Sequence, residues 1–267
     1  MYGGITARAT ARDPAVKLWT VAGLCWAATA AVLVLGRTDL ASHDQIIERS
    51  TLPWAVRIGA FLLIWTVMVG AMMLPSVVPM TRLFTLASAR APRPTRARAT
   101  LLGTYLAIWL GFGLIALGGD RFIHLTVDSW PWLDAHSGLI KAGLLGTAGV
   151  VQFSALKDRC LTACRDPLSM LWQHYRRGAG AWRLGWHHAL NCLGCCFALM
   201  LVMFGVGVGN LGVMVGLTAV MVAEKTTRWG RRLVTPVGVV LIVAAVALAL
   251  GALGVAPFAP TLSTELD

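Results

Sequence analysis

Seven apolar runs, most of them close to the length of a bilayer crossing, alternate with short polar segments along this chain. No other feature restricts the fold so strongly. Crossing the hydrocarbon core takes roughly 20 apolar residues in a helix. A backbone in lipid must also satisfy its own polar groups, which leaves helices as the natural reading of runs this long. The runs cover about 18–35, 53–73, 100–117, 137–156, 187–204, 211–223 and 234–253. The sixth is the shortest. Composition agrees: 57% of residues are hydrophobic, only 13% are charged, and the mean hydropathy is +0.70. Soluble domains are nearer one quarter charged.

The net charge of +11 would suit a nucleic-acid binder, but its distribution argues otherwise. Lys and Arg gather on the cytoplasmic side of membrane proteins. With the N-terminus inside, the inside segments 1–17, 81–99, 157–186 and 224–232 hold 18 of the 23 basic residues, and 8 of the 12 acids fall outside. Topology therefore accounts for the charge, and nucleic acid is excluded as a partner. The expected fold is all-α: a polytopic membrane helix bundle of about seven transmembrane helices with a cytoplasmic N-terminus. Residues 1–16 form a polar lead-in, 17–256 a single membrane domain with a cytoplasmic segment at 157–186, and 257–267 a short tail. The first run lacks a small-residue cleavage site and reads as a helix that stays. The expected location is a bacterial inner membrane, with the bilayer as first partner.

Two prolines interrupt the second run. Pro75 and Pro79 each remove a backbone donor, which predicts a kink or a stop there. Asp166–Pro167 predicts the start of a short capped helix. Trp130 and Trp132 read as interfacial anchors. Cys25, inside the first run, reads as a small buried hydrophobe.

The chemistry lies elsewhere. Cys160 and Cys164 sit in LKDRCLTACRDP, and Cys192, Cys195 and Cys196 sit in HHALNCLGCCFALM. On a helix, positions i and i+4 share a face. That joins Cys160 to Cys164, and it lines up His188, Cys192, Cys195/Cys196 and Met200 along one stripe. The assumed topology brings both cysteine segments to the cytoplasmic level, together with Met72, Met73 and Glu224. A reducing compartment favours free thiols over disulfides. Clustered thiolates with thioethers suit a soft cation, with copper as Cu(I) first and zinc second. The spacing matches neither the usual zinc fingers nor a haem-attachment motif. The candidate metal ligands are Cys160, Cys164, Cys192, Cys195, Cys196, His187, Met72, Met73 and Glu224. Such a protein would exchange its ion with a metal donor or acceptor protein. Two other readings stay open: a membrane thiol oxidoreductase using the paired cysteines, and a metal-free assembly subunit.

Four segments carry a family resemblance: AMMLPSVVP (71–79), QFSALKDRCLTACRDP (152–167), NCLGCCFALM (191–200) and AEK (223–225). In these the chain resembles the DUF2182 family of bacterial integral membrane proteins, described as metal-binding. The family pattern has Gly after the first His, Tyr before the Cys and Trp after the Cys pair, where this chain has His188, Asn191 and Phe197. The resemblance implies a metal site that uses the thiols, with His187 the better match of the two histidines.

Overall fold

A computed structural model describes residues 14–35, 52–175, 180–206 and 210–254. Most of the expected lead-in and all of the expected tail lie outside the described residues. Within them the secondary structure is entirely helical. In chain order the helices are α1 (Pro14–Val34), α2 (Trp54–Ala87), α3 (Pro94–Asp128), α4 (Pro131–Ala135) and α5 (Gly138–Gln152), followed by α6 (Ala155–Arg165), α7 (Pro167–His174), α8 (Gly180–Val206), α9 (Leu211–Thr226) and α10 (Gly230–Ala252). Among the described residues five of these, α1, α2, α3, α8 and α10, are long and apolar enough to cross a membrane. The bent pair α5 and α6 makes a sixth if it is taken as one span. The remaining candidate, α9, has 16 residues. At 1.5 Å per residue that is about 24 Å, short of a hydrocarbon core of about 30 Å.

The fourth run breaks earlier than expected. Instead of continuing to Leu156, α5 ends at Gln152, and α6 leaves at 64° to it. Ser154 makes the break stable. Its hydroxyl accepts the Lys157 N–H at 3.1 Å, which caps the first turn of α6. The reverse happens in α2, which runs through both prolines. Pro75 lacks the N–H that would bond the Ala71 carbonyl. That carbonyl instead accepts the Trp26 indole N–H at 3.1 Å. A neighbouring helix thus satisfies the freed acceptor, as is usual for proline in membrane helices. Helix α3 likewise continues through 118–128, where a loop was expected.

Contacts divide the chain into two compact units. Unit 1 comprises Met1–Leu110 and Thr162–Leu193. Here α1 lies along α2, with Cys25 seated at Gly70: a Cβ on that glycine would fall 2.7 Å from the Cys25 sulfur. This is the packing role expected of Cys25. A second core joins Met80 and Phe84 of α2, Leu101 of α3, Met170 and Leu171 of α7, and Leu184 of α8. Asp166 caps α7 by accepting the Ser169 N–H at 3.0 Å, with Pro167 in the first turn. Unit 2 comprises Gly111–Leu161 and Gly194–Asp267. Its main contact is α5 against α10. The two helices touch through glycines: a Cβ on Gly149 would lie 2.6 Å from Ile242 Cγ1 and 3.1 Å from the Gly238 carbonyl. Small residues let membrane helices approach until their backbones meet.

Candidate metal centre

In unit 1 the site is built where α8 meets α3. Gly185 permits the approach, since a Cβ there would lie 2.8 Å from the Leu101 carbonyl oxygen and 3.1 Å from Thr104 Cβ. One residue beyond Thr104, Tyr105 is thereby carried against α8. Its hydroxyl is 3.0 Å from the Cys192 sulfur, and its ring stacks on His188 with centroids 5.7 Å apart. All three side chains are buried: Cys192 is 1%, Tyr105 2% and His188 4% exposed. A thiol, a phenol and an imidazole thus lie together in the buried part of unit 1.

His187 goes elsewhere. One residue along a helix is a rotation of about 100°, and His187 stacks instead on His174 of α7, with centroids 3.9 Å apart and planes 13° apart. Nδ1 of His174 is buried and accepts or donates no hydrogen bond. Burial first, then the charges of His187 and Arg183, hold the His174 imidazole below its ordinary pKa. Met72 and Met73 are wholly buried in α2. Cys164 is half-buried on α6.

In unit 2 the sulfur atoms of Cys195 and Cys196 lie 3.5 Å apart, both buried and neither in a disulfide. Cys160 of α6 rests on α8 at Gly194, where a Cβ would fall 2.5 Å from its sulfur. The two cysteine segments therefore do meet, at Cys160 and Gly194. Because the obstructing atom is a side-chain end that can turn away, Gly194→Ala is expected to fold and to displace the Cys160 thiol. Faster alkylation of Cys160 by a membrane-permeant maleimide, read by mass spectrometry, checks this; an unchanged rate contradicts it.

Glu224, at the end of α9, accepts a hydrogen bond from the Lys157 ammonium at 2.7 Å, and both side chains are almost fully buried. Beside it on the surface, Asp158 pairs with Arg231. Among the described residues, no three His, Cys, Asp or Glu side chains gather into a metal-holding group. His188 and Cys192 both touch Tyr105, and the Cys195 and Cys196 sulfurs touch each other.

The sequence model of a family described as PpoB2, copper chaperone, matches residues 62–248. The chain belongs to this family. No curated protein and no solved structure matches it. All the residues weighed above as ligands fall within the PpoB2-family match, from Met72 to Glu224. Family membership attaches the chain to copper, and its apolar helices make it a membrane protein. It supports the sequence resemblance at the level of a copper-related family.

Three participants in these contacts were not drawn from the sequence. Tyr105 carried no signal, being one aromatic in an apolar run. Lys157 read as one more inside cation. His174 read as part of a polar segment. Only the first-turn position of Lys157, next to an apolar span, hinted that its charge would be covered.

Proposed function

We propose that this chain is a copper chaperone of the bacterial inner membrane that holds Cu(I) on α8 and passes it to a protein partner. The observation that carries the reading is its membership of the copper chaperone family. The chemistry of the donors supports it. Buried thiols lose their protons most readily to a soft cation, and Cu(I) accepts low coordination numbers that paired ligands can fill. A closed zinc site requires four, so zinc is the runner-up. In unit 1 the ligands are Cys192 and His188, the histidine that touches the same tyrosine. In unit 2 they are Cys195 and Cys196, with Cys160 close to the same helix. Glu224 is engaged by Lys157 and acts as a structural charge partner. On the topology read from the basic segments, these groups lie toward the cytoplasmic side, where thiols stay reduced.

The test is an anaerobic titration of purified, detergent-solubilised protein with Cu(I) against a chromogenic chelator. Wild type is expected to compete for the ion. Cys192→Ser and the Cys195→Ser/Cys196→Ser variant should each bind less Cu(I) per protein. Equal binding in wild type and both variants would sink the proposal.

A further inference from the structure

We infer that Tyr105 is a positioning residue for copper binding, its hydroxyl acting as the hydrogen-bond donor to the Cys192 sulfur in the loaded state. This rests on the copper reading above and adds to it a residue. Binding exchanges a proton for the ion: the Cys192 S–H bond breaks, the S–Cu bond forms, the sulfur keeps its electron pair, and the proton leaves to solvent. A cation of charge +1 on one thiolate leaves a neutral pair. A divalent ion at the same two donors, Cys192 and neutral His188, would leave a net positive charge on this donor pair among side chains at most 4% exposed. Burial penalises that charge heavily. Charge balance therefore favours Cu(I) or Ag(I) over Zn(II) here.

The phenol completes the arrangement. As a thiol, Cys192 is a weak donor and a weak acceptor, so its 3.0 Å contact with the Tyr105 hydroxyl can run either way. Once metallated, the sulfur has no proton and can only accept. The Tyr105 O–H then donates to a sulfur carrying negative charge, and such charge-assisted bonds are the stronger ones. The bond thus gains strength on loading, favouring the bound state over the empty one. The ring's second contact, with His188, sets the imidazole against the same phenol. Donors to a ligand atom, rather than ligands themselves, commonly change metal affinity by about 10–100-fold.

The experiment compares Tyr105→Phe with wild type in full-length, detergent-solubilised protein. The variant keeps the ring, and so the stack on His188, and removes only the donor. Expected are Cu(I) and Ag(I) affinities about 10–100-fold weaker, an unchanged thermal melt, and a near-ultraviolet thiolate–Cu(I) band moved to lower energy because the sulfur is no longer stabilised. A ring-fluorinated tyrosine at position 105, a more acidic donor, should move the band the opposite way, and this readout holds even if the phenylalanine variant folds poorly. If Cys192→Ser lowers Cu(I) binding but Tyr105→Phe binds within about twofold of wild type with its band unmoved, this inference is overturned and the copper reading stands. If Cys192→Ser and wild type bind Cu(I) alike, the role of Cys192 in the copper reading falls, and this inference with it.

Discussion

Lys157→Ala is expected to destabilise the protein by about 3–5 kcal/mol, because removing one partner of a buried ion pair strands the other charge. The remaining carboxylate would be that of Glu224, whose side chain is 1% exposed. A surface pair contributes roughly 0–1 kcal/mol, so Asp158→Ala, which breaks the exposed pair with Arg231, is the internal control. The double variant Lys157→Met/Glu224→Leu separates charge from shape. It replaces both charges by apolar groups of similar size, and such replacements are often neutral or stabilising. Thermal unfolding in detergent should rank Lys157→Ala well below wild type, with Asp158→Ala and the double variant near wild type. A double variant as unstable as Lys157→Ala would mean that the pair does more than neutralise charge.

Gly185→Val is expected to weaken both the fold and the proposed copper site. A Cβ at this position meets backbone, the Leu101 carbonyl oxygen at 2.8 Å and the Leu101 Cα at 3.3 Å, so no side-chain rotation relieves it. Overpacking of this kind costs about 1–3 kcal/mol, and α8 must move off α3. That motion separates Tyr105 from Cys192 and His188. Unlike Tyr105→Phe, Gly185→Val should therefore lower the melting temperature and the Cu(I) affinity together. Gly185→Ala, with one carbon to accommodate, should show the same losses in smaller measure. Full affinity in Gly185→Val would mean that the approach of α8 to α3 is not what assembles the site.

The local rules were legible in the sequence. Asp166 and Pro167 announced α7, Cys25 announced a packing contact, and the apolar runs announced the helices. What was not legible depends on partners distant in the chain. Pro75 predicted a kink or a stop, but α2 continues, and Trp26, 45 residues before Ala71, satisfies the Ala71 carbonyl that Pro75 leaves open. Spacing on α8 set His188 on the stripe with Cys192, whereas the family pattern favoured His187. Helical geometry sends neighbours to different faces, and the positions of Tyr105 and His174 show what each face meets. The cysteine stripe itself was visible from spacing. The contacts of Tyr105 with Cys192 and His188 were not, since they depend on α3. Glu224 was visible as an acid ending an apolar run, but its cation, 67 residues upstream, was not.

That separation also bears on how the protein is made. Lys157 leaves the ribosome 67 residues ahead of Glu224. At about 5–20 residues per second, the lysine waits roughly 3–13 s for its carboxylate. During that interval Lys157 lacks the carboxylate that balances its charge in the folded chain, where it is 2% exposed. The buried pair can close only once the last turn of α9 has been made.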